Sequence, residues 1–258
     1  MIVAIIQART RSTRLPHKIF LKSLGKTMLE HMLERVKRAK HIQKIVIATS
    51  TNNTDDEIEN FCLLHNLNYV RGPENDVLSR FYMASKKFKA KIIVRLTSDN
   101  PLIDPFVIDK VITTFQKDKF DFVSNYVPFP RTYPDGMAVE VFSSKVLKNA
   151  FLHAKKPSER EHVTFFTWKQ PKKYRIFRVD YHYDISKYRF TLDYKVDFEV
   201  INNIIKSLYP KNPNFSLEDI IQWLKKNPEI ANLNSHIPPN LGWEKSLEED
   251  RKKESTLD

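Results

Sequence analysis

Residues 2–22 read IVAIIQARTRSTRLPHKIFLK: an unbroken apolar run over 2–6 that opens directly into a loop crowded with cations. A buried parallel strand, covered by helices on both faces, has that apolar character. Arg9, Arg11, Arg14 and Lys18 then fall within ten positions with no acidic residue among them, and Thr10, Ser12 and Thr13 add hydroxyls. Pro16 stiffens the exit. Such a loop repels itself unless something strongly negative sits in it, and a triphosphate is the natural candidate.

The charge distribution sharpens this. Over 258 residues, 43 Lys and Arg stand against 31 Asp and Glu, a formal net charge of +12. The first fifty residues hold 11 of the bases and 2 of the acids, so most of the excess precedes residue 51. A diffuse basic surface would suit nucleic acid or a membrane; a cluster directly after the first strand suits a local anionic ligand. Arg35, Lys37, Arg38, Lys40 and Lys44 are expected on the solvated face of the first helix.

A chain of this length suits one α/β domain with an added subdomain, and 41% apolar content supports a substantial core. No apolar run approaches the ~20 residues of a membrane span, and the opening residues lack a signal-peptide pattern. Cys62 is the single cysteine; it reads as a small buried apolar residue, no internal disulfide forms, and a cytoplasmic setting is expected. The glycines make neither a dinucleotide fingerprint nor a Walker loop.

Strands and amphipathic helices alternate through the first half. Strands are predicted at 2–6, 45–49, 69–70, 92–96 and 122–125, with helices at 28–39, 55–66, 77–88 and 105–116. That rhythm indicates an α/β, Rossmann-like doubly wound, mostly parallel sheet with ligands at the carboxyl ends of its strands. The second half departs from it: strands at 138–142 and 174–179, helices at 144–154, 161–169, 195–208 and 215–227. The last opens on a capping box of Ser216 and Asp219. Residues 1–245 are read as a single domain containing a small α+β insertion at 129–173, and 246–258 as a charged, flexible tail.

Two aspartates end apolar runs. Asp99, in Thr97-Ser98-Asp99-Asn100-Pro101, follows the strongest central strand; it is either a carboxylate for a divalent cation or a plain loop residue. Asp193, in Arg189-Phe190-Thr191-Leu192-Asp193-Tyr194, precedes a helix. Carboxylates from two parts of the chain suit Mg²⁺ on phosphate oxygens, and these two are the natural pair. Removing one is expected to relieve repulsion and slightly stabilise the protein. Asp104 reads as a helix cap, and Asp197 as facing solvent or supporting a helix N-terminus.

Gln7-Ala8-Arg9-Thr10-Arg11-Ser12-Thr13-Arg14-Leu15-Pro16-His17-Lys18, with the later Leu24-Gly25-Lys26-Thr27-Met28-Leu29, resembles the signature of sugar cytidylyltransferases, which include the CMP-sialate and CMP-KDO synthetases. GPENDVLSR (72–80), YPDGMAVEVF (133–142), SEREHVT (158–164), RFTLDYKVDFE (189–199) and the tail 233–250 are similar to the branch known as spore coat polysaccharide biosynthesis protein F. The resemblance spans nearly the whole chain in order. One departure is Asn100, where the branch often carries Cys.

The resemblance implies a fold of the nucleotide-diphospho-sugar transferase type, CTP and a small sugar as substrates, and Mg²⁺ held by Asp99 and Asp193. It implies that Arg9, Ser12, Arg14 and Lys18, with Ala8 and Thr10 of the same loop, wrap the CTP phosphates. Arg14 and Lys18 would stabilise the leaving pyrophosphate. Backbone N–H groups of the loop would stand in for a glycine-rich one. Arg80 falls in the region near the base. Asp135, Glu140, Arg160, Glu161 and His162 are candidates for the sugar pocket, or else form a salt-bridged hinge between core and subdomain. A homodimer is implied, with 129–173 at its interface, where Phe129, Tyr133, Phe165, Phe166 and Trp168 need cover. Two other readings compete: a nucleotide-sugar-dependent glycosyltransferase, which would usually show a D-x-D motif absent at 97–100, and a basic nucleic-acid-binding protein, which leaves the focused charge unexplained.

Overall fold

In a computed structural model describing residues 1–239 and 241–254, the opening apolar run is strand β1 (Ile2–Gln7). A small hairpin, β2 (Lys22–Ser23) and β3 (Lys26–Thr27), leads into helix α1 (Met28–Val36), which starts on a Thr27–Glu30 capping box. The chain continues as β4 (Lys44–Ser50), α2 (Asp56–Leu64), β5 (Asn68–Gly72), α3 (Val77–Lys87), β6 (Ile92–Thr97), α4 (Pro105–Lys117) and β7 (Phe122–Ser124). The second half holds β8 (Glu140–Ser143), α5 (Ser144–His153), the short helices α6 (Pro157–Glu161) and α7 (Phe165–Trp168), and β9 (Ile176–Arg178). It closes with α8 (Lys195–Leu208), α9 (Leu217–Lys226), α10 (Pro228–Asn232) and α11 (Leu241–Glu254). No helix among the described residues is long and apolar enough to cross a membrane.

One seven-stranded sheet runs in the order β5-β4-β1-β6-β8-β7-β9. The strands are parallel except β8, which opposes both β6 and β7. Alternation along β1 explains why the run had to be continuously apolar. Ile2, Ala4 and Ile6 enter the core beneath α1, α4 and α8, while Val3 and Ile5 enter the core beneath α3 and α5. The chain winds away from β1 in both directions, through β4 on one side and β6 on the other. The carboxyl ends of β1 and β6 therefore meet at the switch point.

The second half corrects three expectations. Residues 129–173 are not a separate insertion: β8 lies between β6 and β7 in the main sheet, and α5 packs on α3. The helix expected at 161–169 is reduced to α7, with α6 ending at Glu161 and the break between them falling where Val163 takes a φ of 51°, in the left-handed region costly for a β-branched residue. The charged tail is helical through Glu254, with Ser246 and Asp250 buried; residues 255–258 lie outside the described part. Asp250 accepts from the N–H and Oγ of Ser158 at 2.9 and 2.5 Å. Trp243 sits among Tyr126, Phe129, Phe165 and Trp168. Of the five aromatic residues expected to need cover, Tyr133, Phe165 and Phe166 are buried within the chain itself, Trp168 is half-buried and Phe129 stays exposed.

Arg35 also departs from the expected solvated face. It is buried, with Nε donating to the Ile103 carbonyl (2.8 Å), Nη2 to that of Phe215 (3.1 Å), and its guanidinium over the Phe215 ring. Burial pulls it down to about 10, with Asp104 opposing that shift. Asp104 caps as expected and does more. Its Oδ1 accepts the Phe106 and Val107 N–H groups at the start of α4, and its Oδ2 accepts the Leu217 N–H at the start of α9 (2.5 Å). One buried carboxylate therefore ties two helix N-termini together. Asp104→Ala is expected to cost about 2–3 kcal/mol in urea unfolding, more than loss of one exposed cap, because it strands buried donors.

Candidate active site

The cationic loop leaves β1 and is held from beneath by Asp55, the first residue of the helix expected at 55–66. Asp55 Oδ1 accepts both the N–H and the Oγ of Thr10 (2.8 Å each), and its Oδ2 accepts from Ser50 N–H and Oγ. Burial alone would raise the Asp55 carboxyl, but these hydrogen bonds hold it below the usual range. The Ala8 N–H goes to the Ala48 carbonyl and that of Ser12 to the Thr10 carbonyl. The backbone N–H groups of Ala8, Thr10 and Ser12 are thus taken within the protein, which fixes the shape of the loop. Arg9 and Arg11 are exposed there, within 4.0 and 3.8 Å of Glu161 and Glu74.

Lys18 turns back into the mouth of the sheet. Its Nζ lies 2.9 Å from Asp99 Oδ2 and 2.9 Å from Asp193 Oδ1, so those two oxygens are separated by at most twice that distance. Asp99 and Asp193 therefore meet around one ammonium group. Asp99 arrives because β6 neighbours β1: the Ser98 N–H bonds the Gln7 carbonyl, and the Asp99 carbonyl takes the Leu192 N–H (2.8 Å), drawing the Asp193 segment alongside. Gly136 permits that approach. With φ at +95°, it sits so close that a Cβ would lie 2.4 Å from the Phe190 carbonyl carbon.

Asp193 is wrapped in cations. Arg14 reaches its Oδ1 at 2.7 Å, and Arg189 its Oδ2 at 3.1 Å. Burial pushes the Asp193 carboxyl up, but Lys18 and Arg14 outweigh that and hold it well below the ordinary range. Lys18 is itself raised: burial works against its charge, and the two aspartates more than offset it. The expected repulsion within the carboxylate pair is therefore neutralised in this structure. Arg189, unassigned in the sequence reading although it stands in the quoted motif, also donates to Asp135 (2.9 Å) and to both oxygens of Asp197. Of the two places expected for Asp197 the second holds: it is fully buried, and its Oδ2 accepts the Tyr194 N–H at the start of α8.

The other candidates disperse. Arg80 is buried below the loop after β5, with Nη1 on the Pro73 and Glu74 carbonyls (2.7 and 2.9 Å); it shapes that loop. Burial, with Arg9 nearby, brings it down to about 10. Glu140 is paired across strands with Arg95 at 2.7 Å and accepts from Thr164 Oγ1. Arg160 pairs with Asp76, the cap of α3, and donates to the Phe151 carbonyl. His162 shares Ser246 with Glu161 and is lowered to about 4 by burial against Glu161's opposing charge, so it carries no charge for a sugar carboxylate at neutral pH. Of the sugar-pocket candidates, only Asp135 is joined to the central cluster, through Arg189; it also accepts from the Tyr126 hydroxyl (3.1 Å). Burial raises its carboxyl, with Arg189 opposing.

A family model described as cytidylyltransferase matches residues 3–224. The chain is 37% identical over 238 residues to an uncharacterised protein of Methanocaldococcus jannaschii, covering 92% of this chain and 95% of that protein. It is 35% identical over 241 residues to spore coat polysaccharide biosynthesis protein SpsF of Bacillus subtilis, covering 89% and 96%. A solved cytidylyltransferase from Leptospira borgpetersenii matches with a TM-score of 0.84 at 35% identity, over 89% of this chain and 96% of that one. The mostly parallel seven-stranded sheet is the Rossmann-like arrangement of nucleotide-diphospho-sugar transferases. The chain belongs to the cytidylyltransferase family and is a CTP-dependent nucleotidyltransferase.

Proposed function

We propose that this chain activates an acidic or amino sugar with CTP, giving a CMP-sugar and pyrophosphate for a surface polysaccharide or glycan. The observation that carries this reading is the Lys18 ammonium shared by Asp99 and Asp193 at the foot of an arginine-rich loop. The class of sugar rests on the resemblance of the sequence motifs to those of CMP-sialate and CMP-KDO synthetases and on the polysaccharide role for which the Bacillus relative is named.

A sugar hydroxyl, the anomeric one in a 2-keto acid, attacks the α-phosphorus in line. The new O–P bond forms as the bond to the bridging oxygen breaks, pyrophosphate leaves with that electron pair, and the hydroxyl proton passes to water. Arg9, Arg11 and Arg14 grip phosphate oxygens in planar forks, which suits them better than a point charge. Arg14 and Lys18 stabilise the charge that grows on the leaving pyrophosphate. Positioning and electrostatics supply most of the rate in such a transfer.

Asp99 and Asp193 are the residues that would hold Mg²⁺. Two hard carboxylate oxygens that already share one cation suit such an ion in charge and donor type. Among the described residues no group of three or more His, Cys, Asp or Glu is placed to hold a metal, so phosphate oxygens and water would complete the shell. When bound, the ion neutralises phosphate charge and lowers the hydroxyl pKa. Lys18, which those carboxylates hold in the structure, would then be free to serve the phosphates.

Screening acidic and amino sugars with CTP for pyrophosphate release, with a CMP conjugate sought by mass spectrometry, tests the reaction. No conjugate with any of them would refute the substrate class. Thermal shift with Mg²⁺ should favour CTP over ATP, GTP and UTP, CTP at a hundredfold above its Kd adding about 2.7 kcal/mol; equal shifts would remove the base preference. Arg14→Ala should leave the fold intact and lose about 3–4 kcal/mol of transition-state stabilisation, read as kcat. A near-normal kcat would strip Arg14 of its role.

Asp193→Asn should abolish turnover and also destabilise the protein, by about 3 kcal/mol near neutral pH, since it leaves Lys18, Arg14 and Arg189 short of a partner. Because the folded-state carboxyl is depressed, its contribution is complete above the unfolded value near ~4 and fades as pH falls below it. Urea melts of wild type and variant should therefore converge in acid. A variant more stable than wild type at pH 7 would show that carboxylate repulsion governs after all.

A further inference from the structure

Asp193 lies in an irregular stretch just before α8, where nothing in the local backbone fixes the direction of its carboxylate. Its two oxygens are nonetheless divided. Oδ1 faces Lys18 and Arg14 on the reaction side, and Oδ2 is taken from behind by Arg189 Nη2. We propose that Arg189 is a positioning residue that aims Asp193 at the metal and phosphates, and that Asn234 is the brace that keeps Arg189 in place. This rests on the metal–CTP reading above.

Arg189 is itself over-determined. Nε and Nη2 make a two-pronged contact with Asp197, at 2.9 and 3.2 Å, and Nη1 holds Asp135. Asp197 Oδ2 also accepts the backbone N–H groups of Asp193 (3.0 Å) and Tyr194 (2.9 Å). The same carboxylate thus fixes both the main chain of Asp193 and the guanidinium that holds its side chain. Asn234, buried and drawn from the tail motif, closes the arrangement: its Nδ2 donates to Asp197 Oδ1 at 2.9 Å and to the Arg189 carbonyl at 3.2 Å. Only a planar fork can serve three carboxylates in these directions; a lysine is a single point charge.

Partners behind a metal ligand typically set affinity by about 10–100-fold. The experiment compares wild type, Arg189→Lys and Asn234→Ala by Mn²⁺ binding to the CTP-loaded protein, read by electron paramagnetic resonance, and by CTP binding in EDTA. Both variants should bind Mn²⁺ about tenfold more weakly while metal-free CTP affinity stays within about twofold of wild type. Adding Asn234→Ala to Asp193→Asn should weaken Mn²⁺ no further, since the brace acts only through that carboxylate. If Arg189→Lys fails to fold, Asn234→Ala decides. Wild-type Mn²⁺ affinity in a folded variant, or an equal fall in metal-free CTP affinity, would overturn the assignment. Absence of Mn²⁺ binding in CTP-loaded wild type would instead refute the metal reading on which it rests.

Discussion

A single ammonium group, that of Lys18, must be kept charged while nearly enclosed. Desolvating a cation is costly, and only two carboxylates at hydrogen-bond distance offset it here. Much of the architecture follows from that requirement. The loop has to reverse so that Lys18 faces inward, hence its fastening to Asp55. Strand β6 has to lie beside β1 so that Asp99 arrives from the same end. The segment before α8 has to be drawn against both, which needs a residue without a Cβ at position 136. Counting Arg14 and Arg189, three cations meet Asp99 and Asp193, and the balance is completed by Asp135 and Asp197 behind.

The parts of this arrangement legible in sequence share one property: their position is fixed by local pattern. The apolar run of residues 2–6 could hardly be anything but a central strand. Asp99 and Asp193 each end such a run, though only Asp99 follows a strand of the sheet; Asp193 lies in an irregular stretch that the Leu192 N–H ties to the Asp99 carbonyl. Asp104 and Ser216 announce themselves by spacing alone. The alternating first half needed no knowledge of tertiary contacts.

What stayed hidden depends on partners far along the chain. Arg35 looks like any surface arginine of α1 until Ile103 and Phe215 supply carbonyls for it. Asp55 carries the marks of a helix cap, yet its hydrogen bonds go to Thr10 and Ser50. Glu140, Arg160 and His162 sit in motifs typical of the branch, and motif membership does not say whether a polar residue faces ligand or locks two elements together. Their observed partners, Arg95, Asp76 and Ser246, favour the locking role. The antiparallel insertion of β8 was unreadable for a related reason: a short apolar strand carries no label for its neighbours.

Strand β1 pairs in parallel with β4 on one side and with β6 on the other. Parallel neighbours cannot be reached by a tight hairpin, so each requires a full crossover. The most central edge of the sheet is therefore unsatisfied along one flank until residues 92–97 exist and have found their place. During synthesis, some ninety residues of chain carry an apolar strand with open hydrogen-bonding groups, the condition that slows folding and invites association between chains. The arginines that follow that strand at once place like charge beside it on every nascent copy, and two such segments approaching each other meet repulsion before they meet backbone.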